Sequence, residues 1–241
     1  MRDECFIRGK IPMTKSEVRA VSLDKLGLKD GEVLYDIGAG TGSVSIEAAL
    51  ARPDARVYAF EQKEEGCRLI RQNMEKFAVR NVTVIPGKAP ESLYKGAAPE
   101  APDTVQVQRS PGMIQMPGDS GTIPVPEALG GETVQESLWQ IPAPDKVFVG
   151  GSGKRLEEIL DHVRRQNPGV RIVVNIIALE TLAVMTRYLE RERLEAEVVC
   201  IQISRGRQAG AYHLMEGMNP VYIVTIDGRE KPDQDAGLQE M

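Results

Sequence analysis

Val33-Leu34-Tyr35-Asp36-Ile37-Gly38-Ala39-Gly40-Thr41-Gly42-Ser43 is the stretch from which the fold of this chain can be read. A short apolar run ends in an acid, glycines follow at every second position, and a helical pattern opens through Val44, Ile46 and Ala48. That order predicts a buried strand, a tight glycine turn and the start of a helix. Without a Cβ, a glycine lets the backbone turn sharply and lets a ligand approach it closely. Thr41 or Ser43 is placed to cap the helix that follows.

The spacing narrows the ligand. A dinucleotide site reads G-x-G-x-x-G, with the pyrophosphate on the helix N-terminus. Here the pattern is G-x-G-x-G preceded by Asp36, which resembles the cofactor loop of S-adenosylmethionine-dependent methyltransferases. The chemistry agrees. S-adenosylmethionine has no phosphate to cradle, but it carries an ammonium and a sulfonium that an acid such as Asp36 can accompany. Arg56-Val57-Tyr58-Ala59-Phe60-Glu61 reads as the next strand, again ending in an acid. An acid about 20 residues past a glycine loop is placed to accept hydrogen bonds from ribose hydroxyls, and Glu61 fits. The plain alternative is a glycine turn beside a solvated glutamate. The two features occurring together in this order favour the cofactor site.

Bulk properties bound the answer. The 241 residues suit one large domain, or one domain with an appendage, and are ample for a sizeable core. The chain is 41% hydrophobic and 27% charged with a formal net charge of -5, ordinary for a soluble globular protein and unlike the basic footprint of a nucleic-acid binder. No apolar run approaches the roughly 20 residues that span a bilayer. Met1-Arg2-Asp3-Glu4-Cys5 lacks a signal-peptide hydrophobic region. Cys5, Cys67 and Cys200 are far apart and odd in number, which suits reduced thiols in the cytoplasm. Cys67, on a helical apolar stripe, and Cys200, in a strand-like run, read as core. With only two histidines, His162 and His213, no metal site is expected.

Along the chain, Thr14 with Glu17 forms a capping-box pattern for a helix running toward Leu26 and stopping at Gly27. Beside that cap reading stands a second one, in which this turn covers the cofactor pocket. Pro53 ends the helix from Ser43 at about Ala51. Cys67, Ile70, Met74 and Phe77 then recur at helical spacing, and Asn81 to Pro86 reads as a strand. Alternating strands and helices imply a parallel sheet with helices on both faces. Gly87-Lys88-Ala89-Pro90, directly after a strand, is either an ordinary turn or a border for an adenine ring. From Gly96 to Pro144 the texture changes: eight of the fifteen prolines fall there without sustained periodicity. Met113–Met116 and Thr122–Val125 suit short extended pieces, and Trp139 an anchor at the end of the excursion. A lid, a subunit-contact arm and a floppy insertion all remain open for this segment. Regular order returns with Lys146 to Val149, the glycine-rich turn Gly150–Gly153 and an amphipathic helix through Leu156, Ile159, Leu160 and Val163. Val170 to Ile176 is a buried strand ending at Asn175, either a pocket residue or a cap. A helix from Leu179 to Arg193 carries Leu182, Ala183, Thr186 and Leu189 on one face. Val198 to Ser204 and Val221 to Ile226, with no helix between them, read as an antiparallel pair closing the sheet. Their link, Arg205 to His213, is either a two-pronged carboxylate clamp or a solvated basic turn. The polar stretch 229–241 reads as a frayed tail, leaving residues 1–228 as a single domain with an insertion at 96–144.

Taken together, Ile11-Pro12-Met13-Thr14-Lys15, Asp36 to Gly42, Gly150-Gly151-Ser152-Gly153, Asn175 to Thr181 and Ser204-Arg205-Gly206-Arg207 resemble the CbiT-type decarboxylating cobalt-precorrin-6B C15-methyltransferases of cobalamin biosynthesis. They also resemble the C-terminal part of the precorrin-6Y C5,15-methyltransferases. The resemblance covers most of the chain from Phe6 to Ile226, apart from the 96–144 insertion. It implies an α/β class I methyltransferase fold, mostly parallel with an antiparallel final strand pair. It implies S-adenosyl-L-methionine, a tetrapyrrole substrate bearing many carboxylates, a homotetramer, and a separate polypeptide for C5 methylation. Cofactor binding is carried over to Thr14, Asp36, Gly38, Gly40, Thr41, Gly42, Glu61, Ala89 and Gly151. Lys88 stands where related enzymes often show an acid. The reaction that the resemblance implies is methyl transfer to C15 with loss of the C12 acetate carboxyl, giving cobalt-precorrin-7. Positioning and shielding from water carry such chemistry without an obligatory strong base. Arg205 and Arg207 are the candidates for holding carboxylates, and Tyr212 or His213 for handling a proton. Rival readings are a methyltransferase acting on protein or RNA and a non-catalytic S-adenosylmethionine-binding module. The glycine spacing makes an NAD dehydrogenase the poorest fit.

Overall fold

Five apolar runs form the parallel part of the sheet: β1 (Val33–Ile37), β2 (Arg56–Glu61), β3 (Val82–Pro86), β4 (Lys146–Val149) and β5 (Arg171–Ile176). The computed structural model describes residues 1–94 and 141–228. The expected insertion up to Gln140, with Trp139, and the 229–241 tail lie outside the described residues. Helices α1 (Ser16–Leu26), α2 (Ser43–Ala51), α3 (Glu64–Lys76), the short α4 (Glu91–Tyr94), α5 (Leu156–Gln166) and α6 (Leu179–Glu192) connect and cover these strands. Two further strands, β6 (Ala196–Ile201) and β9 (Val221–Ile226), complete a seven-stranded sheet of order β3-β2-β1-β4-β5-β9-β6. β9 runs antiparallel to both β5 and β6 and lies between them. This is the α/β class I methyltransferase arrangement that the sequence predicts, including the antiparallel final pair. Among the described residues no helix is long and apolar enough to cross a membrane.

The period of two along each strand divides the core between the faces. Val33, Tyr35 and Ile37 join Val147, Val149, Ile172 and Val174 in a cluster under α5 and α6. Leu34, Phe148 and Val173 turn the other way, toward Val18 and Leu26 of α1, Ile46 of α2 and Ile70 of α3. Burial on both faces is why these strands read as continuous apolar runs instead of alternating ones. The same period sends Asp36 and Asn175 to the α1–α2 side, which decides what each can touch.

Several local expectations are corrected. Lys15 is the N-cap of α1 and makes no side-chain cap bond, so the Thr14–Glu17 box does not form. Glu17 is taken by Arg205, and the Thr14 carbonyl by Arg19. The helix does stop at Gly27, whose left-handed φ of 56° turns its N–H to the Leu23 and Asp24 carbonyls. Gly42, not Thr41 or Ser43, is the N-cap of α2, with φ 77° and no side-chain bond. Cys67 is buried as expected, but Cys200 is exposed, because β6 is the edge strand and one of its faces is uncovered. On α6 the core face is Met185 and Tyr188, with Leu182 and Leu189 partly buried beside them. Ala183 and Thr186 face solvent. The predicted turn Arg205–His213 is instead part of a β-hairpin, β7 (Ser204–Ala209) and β8 (Tyr212–Gly217), standing off the main sheet.

Arg19 pins the N-terminal segment to α1 and α2. Its side chain is fully buried and donates to Glu47 Oε1 at 2.8 Å, the Thr14 carbonyl at 2.5 Å and the Met1 carbonyl at 2.8 Å. Asp3 lies at 3.3 Å, and the guanidinium sits over the Phe6 ring. Removing one partner of such a network leaves buried carboxylates uncompensated, so Arg19→Ala is expected to cost about 3–5 kcal/mol. Urea denaturation checks this, and a loss below about 1 kcal/mol, the range of an exposed pair, would contradict the assignment.

Candidate active site

The carboxyl ends of β1, β2, β3, β4 and β5 open on one side of the sheet, where open α/β folds bind ligands. Three backbone segments meet there without side chains between them. Gly38 has φ 74°, and a Cβ built on it would lie 2.6 Å from the Gly151 carbonyl oxygen and 2.7 Å from the Gly151 nitrogen. Gly40 has φ 61°, and a Cβ there would lie 2.9 Å from the Pro12 carbonyl. The loop is held from below: Gly38 and Ala39 N–H donate to the Phe60 carbonyl at 2.9 and 3.0 Å, and Gly150 N–H donates to Ile37 at 2.9 Å.

Above these segments lies a cavity of about 440 Å³, within the range of small-molecule sites. Its walls are the Ile11–Lys15 segment, the Gly38–Gly40 loop, Glu61 to Lys63, Gly87 to Ala89, Gly150 to Gly153 and, on the far side, Asn175, Ile177, Met218 and Asn219. Glu61 is buried, with Oε2 accepting from Gly40 N–H at 2.8 Å and Oε1 from Lys63 N–H at 2.8 Å. Each carboxylate oxygen has a second lone pair, so Glu61 is fixed by backbone and still able to accept from a ligand hydroxyl. Room for it comes from Gly66 on α3, where a Cβ would lie 2.5 Å from Glu61 Cγ. The sequence reading missed Gly66. Its signal was a glycine inside an otherwise amphipathic helix.

Of the predicted cofactor residues, Thr14, Gly38, Gly40, Glu61, Ala89 and Gly151 line this cavity. Asp36, Thr41 and Gly42 stand behind it. Asp36 is buried on the α2 side, where Oδ2 accepts from Ser45 N–H at 3.0 Å and from Ser45 Oγ at 2.5 Å. Burial pushes its carboxyl up to about 7, against the pull of the Ser45 bonds and with a further push from Glu61. Asp36 therefore ties the loop to the first turn of α2 instead of accompanying a cationic ligand. Thr41 is buried too, its carbonyl accepting from Asn73 Nδ2 at 3.0 Å. A Cβ on Gly42 would lie 3.0 Å from Ile70, so the last glycine serves packing against α3.

None of the four predicted catalytic residues lines the cavity. Arg205 Nη2 lies 2.7 and 2.9 Å from the two Glu17 oxygens and 3.6 Å from Asp3 Oδ2. The guanidinium holds the Glu17 carboxyl down at about 2. Arg205 is thus a strut between the hairpin and α1 and not a free clamp. Arg207 is paired loosely across the hairpin with Glu216 at 3.4 Å. Tyr212 and His213 are exposed on β8. Met218 and Asn219, which do reach the cavity, were not singled out from the sequence. The turn signal Asn219-Pro220 before the last strand marked the place.

The sequence profile of one family, the precorrin methyltransferase domain, matches residues 4–109 and 119–227. The chain belongs to this family. Among curated relatives, a probable cobalt-precorrin-6B C(15)-methyltransferase (decarboxylating) from Pyrobaculum calidifontis is 37% identical over 227 residues, covering 92% of this chain and 93% of the relative. The Salmonella typhimurium cobalt-precorrin-6B C(15)-methyltransferase (decarboxylating) is 32% identical, covering 98% of this chain and all of the relative. A crystal structure of a precorrin-6y C5,15-methyltransferase from Geobacter metallireducens superposes with a TM-score of 0.71 at 35% identity, covering 94% of this chain and 97% of that one.

The glycine contacts give a graded prediction. Gly210, in the hairpin turn, has φ 63° and nothing within 4 Å of a built Cβ, so Gly210→Ala carries only the left-handed strain of about 1–2 kcal/mol. Gly38→Ala carries that strain and a backbone collision, and it is expected to lose clearly more in urea denaturation. Equal losses would contradict the dovetailed loops.

Proposed function

We propose that this chain transfers a methyl group from S-adenosylmethionine to C15 of cobalt-precorrin-6B and releases the C12 acetate carboxyl as carbon dioxide, yielding cobalt-precorrin-7 in cobalamin biosynthesis. The observation that carries the proposal is the cavity at the strand ends, walled by the Gly38–Gly40 loop and the backbone-fixed Glu61, in a chain of the precorrin methyltransferase family. S-adenosylmethionine supplies a methyl group on a positively charged sulfur. Glu61 accepts from the ribose hydroxyls, the backbone around Ala89 borders the adenine, and Thr14, Gly38, Gly40 and Gly151 flank the methionine end. A carboxylate already gripped by two N–H donors loses little freedom on binding, and this fixed geometry is what the donor residues contribute.

The remaining wall, from Ser152 and Gly153 across Asn175 and Ile177 to Met218 and Asn219, receives the tetrapyrrole edge. Among the described wall residues the titratable side chains are Lys15, Glu61, Lys63 and Lys88, and none is a histidine, cysteine or tyrosine. Glu61 is held by backbone donors and takes the ribose hydroxyls. The lysines carry positive charge toward a substrate bearing many carboxylates. This set orients a polyanionic substrate and excludes water, so that catalysis rests on alignment of donor and acceptor, with the electron pair of the breaking carbon–carbon bond received by the conjugated ring.

The assembly proposed is a homotetramer. Its support is apolar exposure on the hairpin and the neighbouring edge strand: Tyr212, Leu214 and Met215 on β8 and Val198 on β6 are all more than half exposed, a pattern that marks a contact surface. Analytical ultracentrifugation should return four times the chain mass, and a monomer at micromolar concentration would refute it.

The activity is tested by incubating the purified chain with methyl-labelled S-adenosylmethionine and cobalt-precorrin-6B, following product mass and released carbon dioxide together. The expected product gains one methyl and loses one carboxyl. Cofactor binding with an unchanged tetrapyrrole would overturn the proposal and point to another acceptor.

A further inference from the structure

We propose that Asn175 contacts the substrate directly, its Nδ2 donating a hydrogen bond to a peripheral carboxylate of the tetrapyrrole. The assignment rests on the function proposed above. Asn175 is the penultimate residue of β5 and lines the cavity on the side away from Glu61 and Ala89. The period of two along β5 turns it toward α1, where Ser22 waits, fully buried. Ser22 Oγ stands 3.0 Å from Asn175 Oδ1 and 2.8 Å from the Val18 carbonyl. The single Ser22 hydroxyl proton is shared between these two oxygens, an arrangement in which the oxygen edge of the amide faces α1.

The other edge is unsatisfied. Nδ2 is buried and has no hydrogen-bond partner among the described residues. A buried amide donor without an acceptor is disfavoured unless something completes it, and here the residue borders a cavity. An acceptor entering that cavity would complete it. S-adenosylmethionine is assigned to the glycine loop, Glu61 and Ala89. What reaches the β5 side is the tetrapyrrole, whose peripheral acceptors are carboxylates. The immediate surroundings agree: Ile177, Met218, Asn219 and the β9 register partner Ile223 are uncharged. The charged side chains of the wall are Lys15, Glu61, Lys63 and Lys88. A neutral donor at this place orients a carboxylate without fixing a counter-charge beside the reacting carbon.

The test uses the full-length protein with Asn175→Ala, Asn175→Asp and Ser22→Ala, S-adenosylmethionine affinity by calorimetry, and steady-state turnover of cobalt-precorrin-6B. Asn175→Ala should leave S-adenosylmethionine affinity within about twofold of wild type, while KM for the tetrapyrrole rises about tenfold or more, the loss of one hydrogen bond to a charged group. Asn175→Asp should be worse than Ala at pH 8, where two carboxylates would face each other. It should recover as pH falls and the introduced acid, once protonated, donates again, a response that a merely structural role would not produce. Ser22→Ala releases the amide without altering the cavity wall and should give an intermediate loss; it keeps the test open if Asn175→Ala does not fold. Unchanged tetrapyrrole KM in Asn175→Ala would overturn the assignment while leaving the activity intact. So would weaker S-adenosylmethionine binding in Asn175→Ala with tighter binding in Asn175→Asp, because the amide oxygen would then be serving the cofactor's ammonium. A wild-type chain that binds S-adenosylmethionine but leaves the tetrapyrrole unchanged would instead overturn the proposed function, and this inference with it.

Discussion

The backbone of Gly38 rests directly on the backbone of Gly151, and the architecture of the site depends on that contact. With a Cβ position only 2.6–2.8 Å from Gly151 atoms, the loops after β1 and β4 can meet only as bare main chain. Their meeting closes the floor of the cavity and brings the Gly40 N–H within 2.8 Å of Glu61. One steric condition thereby sets both the shape of the pocket and the position of the Glu61 carboxylate in its wall. Apolar strands buried on both faces provide the rigid base from which the loops project.

The ionic groups divide by what they can reach. Asp36 belongs by sequence to the glycine motif, yet strand periodicity turns it to α2, where it takes the place of a helix cap by accepting from Ser45. Its buried carboxyl is held up at about 7 for want of solvent. Arg205, which looks like a carboxylate clamp in the linear chain, is committed to Glu17 and Asp3. That pairing joins the hairpin to α1 and the N-terminal turn and keeps Arg205 off the cavity wall.

How far the sequence was legible follows from the range of the forces involved. The parallel strands and most helices were readable because apolar periodicity is local. The glycine loop and Glu61 at the cavity were readable because glycine conformation and a strand-end acid are nearly local as well. Failures came where a distant partner decided the outcome. The Thr14–Glu17 cap gave way to Arg205, 188 residues from Glu17. Cys200 looked buried until the strand order placed β6 at an edge. The hairpin was hidden because Ser204 to Ala209 is too polar to register as a strand, although Gly210, with φ 63°, supplies its turn. Asn175 was one of two open readings, and only the position of Ser22 shows which edge of its amide is left over.

In the proposed function, Glu61 and the Gly38–Gly40 loop hold the donor, and the β5–β9 side is left for the acceptor. The most direct measurement is a crystal structure with S-adenosylhomocysteine bound. The expected result is ribose hydroxyls within hydrogen-bond distance of Glu61, the adenine against Ala89 and open space beside Asn175. Nucleoside density beside Asn175 and Met218, with Glu61 uncontacted, would contradict it.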